Sequence, residues 1–231
     1  MNLFLELRRH GRLADKRHPM YEKSRFTRFW MYFMAVFWAG YLIFIGTTFA
    51  FGFEGAAVEP YHLLNSGLVF VLALDFLMRF PFQKTPTQEV KPYLLLPVRR
   101  NRLIDFLLIR SGLSGFNLLW LFLFAPFALI TVTKFYGLWG VLTYCVGIWL
   151  LMVLNNYWFL LCKTLLSERI WWVLLPVAVY GGLALGMFLP DDSPVFDWFL
   201  ELGEGFITGN AWVFLALLAG IGLMWWVNSR V

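Results

Sequence analysis

Apolar residues in this 231-residue chain fall into long blocks rather than the short alternations of a soluble fold. Six blocks occur, over about 29–53, 61–80, 103–132, 136–161, 170–189 and 211–228, and each is predicted to be one membrane-spanning helix. About 20 apolar residues at ~1.5 Å each cover the ~30 Å hydrocarbon core of a bilayer. The third block is longer than that, so its first turns are expected to stand clear of the membrane. Residues 134–137 and 163–169 read as turns between spans. Two polar stretches carry their own pattern. Residues 1–28 interleave Leu3, Phe4, Leu7 and Leu13 with Arg8, Arg9 and Arg12, which suits a helix in the headgroup plane or a basic tail. Residues 190–210 are acidic but include Pro194, Val195, Phe196, Trp198, Phe199, Leu200 and Leu202, the pattern of a short amphipathic helix resting on the far face. The predicted fold class is therefore all-α: a polytopic membrane protein with six transmembrane helices and an N-terminal interfacial helix, forming one domain over 1–231.

The remaining interruption, residues 81–102, is the only one both long and basic. Thr85 suits an N-cap, Pro86 the first helical position, and Gln88 the third position of a capping box. Pro92 limits that helix, and Pro97 limits the turn of Tyr93, Leu94, Leu95 and Leu96. The expected product is a short bent element between two spans, a handle for a soluble partner.

Composition agrees with the block pattern. Hydrophobic residues make up 60% and charged residues 14%, and the mean hydropathy is +0.68, too apolar for a soluble domain of this size. A net charge of +5 would suit nucleic acid, but its distribution decides otherwise. If the six blocks span, 18 of the 19 Lys and Arg lie on one side, and only Lys134 lies on the other. That is the positive-inside asymmetry, which places both termini in the cytosol and leaves no nucleic-acid role. The same basic side is expected to hold anionic headgroups. Glu54, Glu59, Asp191, Asp192, Asp197, Glu201 and Glu204 occupy the far side instead. Cys145 and Cys162 share one block, about 25 Å apart along a helix, so they are not expected to pair. A charged stretch precedes the first block, so no cleavable leader is expected.

Candidate chemistry is sparse. Asp75 and Arg79, four apart, share a helix face and can pair as a structural lock or gate a path. Asp105 and Arg110 sit near the inner end of the third block, where Asp105 could meet Arg102 or Arg79. Asn117, Asn155 and Asn156 are polar residues in apolar surroundings and suit helix-to-helix hydrogen bonds. Gly112 to Gly115 reads GLSG, a setting in which intramembrane proteases place a serine nucleophile. That chemistry needs a histidine base on a later span, and the only histidines are His10, His18 and His62. Gly112, Ser114 and Gly115 therefore read as small residues for close packing. Neither a zinc-protease motif nor a phosphate loop is present, so no catalytic, cofactor-binding or metal-binding residue is nominated. Any nucleotide hydrolysis would belong to another chain. Trp171, Trp172, Trp198, Trp212, Trp225 and Trp226 near block ends read as an interfacial belt, and Gly181, Gly182 and Gly186 as sites of close packing or a bend.

The run LLLPVRRNRLIDFLLIRSGLSGFN, preceded by DFLMRFPFQKTPTQEVKPY, resembles the second-to-third-span region of ABC-2 type permeases, and is closest to a poorly characterised branch of multi-pass bacterial proteins. The specific match covers roughly residues 70–130; elsewhere only the layout agrees. The resemblance implies the bacterial cytoplasmic membrane, two permease copies or homologous halves around a path, and a separate cytosolic ATPase. It also implies that residues 83–97 form a coupling helix, with ATPase contacts at Gln88, Glu89, Lys91, Tyr93, Leu94, Leu95, Leu96, Pro97, Arg99 and Arg100. Branch members are often longer, so a half-length relative and a truncated chain are both open. The functional expectation is an export permease subunit, with hydrophobic cargo mildly preferred. The alternatives are a non-transporting scaffold or assembly subunit and, less favoured, an intramembrane enzyme or ion-coupled carrier.

Overall fold

Every regular element in the computed structural model is a helix among the residues it describes, 9, 25–53, 59–83, 100–188 and 194–230. In chain order they are α1 (Arg25–Gly52), α2 (Pro60–Ser66), α3 (Leu68–Phe82), α4 (Arg100–Gly112), α5 (Leu121–Glu168), α6 (Leu174–Phe188), α7 (Pro194–Thr208) and α8 (Ala211–Arg230). Two 3-10 turns, Gly115–Leu118 and Ile170–Val173, precede α5 and α6. Four of these helical stretches are long and apolar enough to cross a bilayer, and a fifth if the bent pair α2–α3 counts as one span. This is a helical protein built for a membrane, and its outer surface is correspondingly apolar. Phe29, Tyr32, Val36 and Phe44 on α1, and Trp212, Leu215 and Leu223 on α8, are exposed.

Continuous helix runs from Leu121 to Glu168 except at Gly137, whose φ of 65° and ψ of −168° fall in a region open essentially only to glycine. The chain doubles back there. The rings of Phe124 and Tyr144 lie 6.2 Å apart, whereas a straight helix would separate them by about 30 Å. On the first arm, Trp120, Leu123, Phe124, Phe127, Ala128, Thr131 and Val132 form one buried stripe at helical spacing. The second arm is buried on more than one face, through Tyr144, Ile148, Met152, Asn155, Asn156 and Phe159. It is the central helix, and the other elements pack around this hairpin.

Glycines set the closest approaches. A Cβ at Gly46 would sit 2.2 Å from the Leu123 carbonyl oxygen, so α1 meets the hairpin backbone to backbone. A Cβ at Gly147 would lie 2.4 Å from a ring carbon of Phe206, which is fully buried.

Several expected boundaries move. The second span is not one straight rod: α2 and α3 meet at 45°, at Gly67, after the weak helix formers Asn65 and Ser66. It also runs through Pro81 to Phe82. The third is not one helix over 103–132. It breaks after Gly112, where Ser114 is extended and its hydroxyl accepts from the Phe116 N–H at 3.3 Å. The Asn117 amide then caps α4 by donating to the carbonyls of Gly112 (2.6 Å) and Ser111 (3.1 Å). Of the small residues there, Gly112 is packed tightly, since a Cβ would lie 2.6 Å from the Tyr157 hydroxyl, while Gly115 borders open space. The helix over the fourth expected span continues past 161 to Glu168, and the stretch expected as the fifth begins with a 3-10 turn. Finally, α7 is docked into the body rather than merely resting on a face. Val195, Phe206 and Ile207 are buried, and Gly203 lies against Asn65. The expected helices in 1–13 and in the loop after Gln83 lie outside the described residues.

Candidate functional site: a buried ion pair with a polar shell

Asp75 and Arg79 are one turn apart on α3, and both are completely buried. Arg79 Nε donates to Asp75 Oδ2 at 2.7 Å. Removing such a pair from water costs several kcal/mol per ion, offset only when the remaining donors and acceptors also find partners. Here they do. The indole N–H of Trp120 donates to Asp75 Oδ1 at 2.8 Å, and the Asn155 amide donates to Oδ2 at 2.8 Å. Arg79 Nη1 donates to Gln83 Oε1 (3.0 Å) and Asn156 Oδ1 (2.9 Å), and Nη2 donates to Asn117 Oδ1 (2.9 Å). Its guanidinium carbon also lies 5.0 Å from the Phe116 ring centroid.

A second ring of contacts holds these partners. Gln83 Nε2 donates to Ser111 Oγ at 2.8 Å and to Asn156 Oδ1 at 2.5 Å. Asn156 Nδ2 donates to Ser111 Oγ at 3.0 Å. Asn155 donates to the Leu72 carbonyl at 3.0 Å and accepts from the Tyr180 hydroxyl at 2.6 Å. Lys163 closes the end of α3 by donating to the carbonyls of Phe80 (3.0 Å) and Gln83. Its ammonium lies over the ring of Phe159 at 5.4 Å. The node thus joins α3, α4, the 3-10 turn, both arms of α5 through Trp120 and Asn155, and α6.

Sequence-nominated residues divide cleanly in space. Asp75, Arg79, Asn117, Asn155 and Asn156 converge on this node. Asp105 and Arg110 lie on α4, and neither is among the partners of Arg79. Gln88, Glu89, Lys91, Tyr93, Leu94, Leu95, Leu96, Pro97 and Arg99 lie outside the described residues; Arg100 begins α4. Gln83, expected to open the coupling helix, turns its side chain into the node. Ser111, Trp120 and Tyr180 were not singled out for polar roles. A signal existed for the two aromatics: Trp N–H and Tyr O–H seek partners when buried. Ser111 is a common residue with no local mark.

Chemically the node is closed. Both acidic oxygens accept hydrogen bonds, the cation is matched one to one, and neither ion is exposed. It offers no free base or nucleophile and behaves as a cross-brace.

A looser polar group lies at the other end of α2–α3. His62 Nε2 is 2.9 Å from Glu204 Oε1 and 3.5 Å from Glu59 Oε2, and the Tyr61 hydroxyl donates to Glu59. Beneath it, the Tyr144 hydroxyl donates to Asn65 Oδ1 at 2.8 Å. This cluster straps α7 to α2. No group of three or more acidic, His or Cys side chains able to hold a metal occurs among the described residues.

A protein-family model matches residues 12–231, nearly the whole chain. The chain belongs to DUF5687, a family of unknown function. No curated protein and no solved structure matches it. Membership in DUF5687 assigns no activity, so the reading of function rests on the cross-brace and on what it connects.

Proposed function

We propose that this DUF5687 chain is the membrane-spanning permease subunit of an ATP-driven exporter of ABC-2 type, worked by a separate cytosolic ATPase. One observation carries the reading: Arg79 and Gln83, where α3 enters the connection 84–99, are tied to Ser111 in the last turn of α4 and to Asn117 and Asn156 beyond it. A push on that connection is transmitted to the central hairpin instead of being lost in loose backbone, because hydrogen-bonded rods move as units in a bilayer. The resemblance of residues 70–130 to ABC-2 permeases supports the same reading.

In this reading the chain crosses six times, through α1, the bent pair α2–α3, each arm of the α5 hairpin, α6 and α8. Both termini face the cytosol of a bacterial cell, with the basic side on anionic headgroups. Alternating access between two copies, or two homologous halves, moves the cargo. Tyr93, Leu94, Leu95 and Leu96 would grip the ATPase. Purification together with the products of neighbouring genes should recover a phosphate-loop ATPase, and replacing residues 93–96 with Gly and Ser should release it. Recovery of no ATPase, or unchanged function in the replaced protein, would reject the proposal.

A non-transporting scaffold or assembly subunit is the second reading. The saturation of the Asp75–Arg79 node favours it, since a sealed brace offers a substrate no polar foothold. Recovery of a stable complex lacking any ATPase would select it.

A further inference from the structure

Packing of α1 is confined mainly to its second half. Of its described residues only Leu42, Gly46 and Ala50 are buried, and Gly46 is the point of closest approach to Leu123. None of the described residues from Phe26 to Tyr41 is buried. That stretch rises about 24 Å at ~1.5 Å per residue, most of the ~30 Å hydrocarbon thickness.

The outward side of α1 is patterned. Phe26, Trp30, Phe33, Phe37, Phe44 and Phe51 all fall on the a and d positions of one heptad frame, and Gly40 and Thr47 hold the two a/d positions that remain. This seam faces away from the body, since Gly46 follows Phe37 by two and a half turns. Its six aromatic residues are 46–71% exposed. Consecutive rings from Phe26 to Phe37 stack at centroid separations of 5.5–6.4 Å, so the surface is preformed.

Period and size distinguish a protein neighbour from lipid. A face that meets only acyl chains needs apolar side chains but no fixed spacing, because fluid tails conform to any surface. A period of 3.5 residues keeps one face toward a second helix along its whole length. Bulk also alternates: Gly40 and Thr47 stand between Phe37, Phe44 and Phe51, and a Cβ at Gly40 would meet nothing within 4 Å. The Thr47 hydroxyl already donates to the Phe44 carbonyl at 2.8 Å, so it adds no unsatisfied polar group. Small residues on a seam let membrane helices approach closely, where packing rather than hydrophobicity drives association. The area suffices too. At about 200 Å² per aromatic side chain, the exposed parts of the six amount to roughly 700 Å² per copy, close to the ~800 Å² per partner of a stable interface.

We infer that α1 is the dimer seam of this chain. Two copies, oriented alike in the membrane, pack their α1 helices in parallel about a two-fold axis along the bilayer normal, with Phe37 and Phe44 of each copy seated beside Gly40 of the other. The contact requires only insertion in a bilayer, so it serves a scaffold as well as an exporter; in the exporter reading it is where the second copy attaches.

Full-length protein in vesicles tests the seam in two ways. Dimer fraction is read by single-molecule photobleaching over a lipid-dilution series. Gly40→Trp, which blocks close approach, should need about 10-fold or more higher protein density to dimerise, whereas Ala35→Phe, on the opposite side of α1, should follow the parent. In a background of Cys145→Ala and Cys162→Ala, single cysteines replacing Phe37 or Phe44 should form disulfide-linked products of twice the 27.0 kDa chain. Tyr32→Cys and Trp38→Cys, exposed but off the seam, should link about 10-fold more slowly. Thermal midpoints establish that each variant folds; if the cysteine-free background does not, the dilution series decides alone. Monomers at every density would leave α1 to lipid and overturn the assignment. So would folded Gly40→Trp dimerising like the parent, equal linkage on and off the seam, or linked products of another mass, which would mean a different chain. A seam dimer recovered without any ATPase keeps this inference and rejects the exporter; an ATPase recovered with a dimer that links elsewhere does the reverse.

Discussion

Arg79 is the residue whose replacement should matter most. Truncating one member of a buried pair leaves the other charge uncompensated, at a cost of about 3–5 kcal/mol. Arg79→Met should therefore lower the unfolding midpoint in detergent far more than Asp105→Asn, which lies outside the node. Arg79→Lys should rescue little, because an ammonium cannot reproduce the planar fork that meets Asp75, Gln83, Asn156 and Asn117 together. If Arg79→Met unfolds like the parent, the cross-brace is not holding the bundle. His62 makes the opposite case. Its side chain and that of Glu204 are partly exposed, so His62→Ala should cost less than about 1 kcal/mol. A larger loss in the same measurement would mean that the α2–α7 strap is better shielded than its exposure indicates. The Asp75–Arg79 pair is visible in the sequence as a spacing of four. Its other partners are not, because Asn156 lies 77 positions from Arg79.

At the scale of elements, the α5 hairpin turns on Gly137. Placing a Cβ where φ is 65° and ψ is −168° costs about 1–3 kcal/mol. Gly137→Ala should destabilise by that amount, and Gly137→Asn by a similar amount; a neutral result for both would show that the reversal tolerates another backbone geometry. Docking of α7 depends on Gly147 in the same way, through bulk rather than backbone angle. Gly147→Ala drives a methyl into the buried ring of Phe206, an overpacking that typically costs about 1–3 kcal/mol. Limited proteolysis within 189–210 should then accelerate, whereas an unchanged cleavage rate would argue that α7 is held mainly through α2. The break after Gly112 shows why a run of apolar letters is not a continuous helix. Hydropathy sees Leu113, Phe116, Leu118 and Leu119 as span. The interruption comes from Ser114 and Asn117, short polar side chains that compete for backbone groups and cap what they interrupt.

For the whole molecule, the proposed six crossings make a sharp topological prediction. A single cysteine at position 197, on the exposed face of α7, should react with a membrane-impermeant thiol reagent in intact cells. One at position 91 should react only after the membrane is opened. The reverse pattern would invert the molecule and remove the cytosolic connection from reach of any ATPase.

The sequence by itself determined the class of molecule and the rough extent of its apolar helices. Transfer into hydrocarbon is a sum over neighbouring side chains, and a window of about 20 residues contains all that the sum requires. It also marked Asp75, Arg79 and the asparagines as costly in apolar surroundings. Only the tertiary structure decided where those costs are relieved: which polar groups meet, that α2 and α3 bend, that the third apolar block is broken, and that α6 stands off α8 to leave a cleft. These outcomes depend on which helix faces share a boundary, and packing between residues tens of positions apart has no expression in any local window.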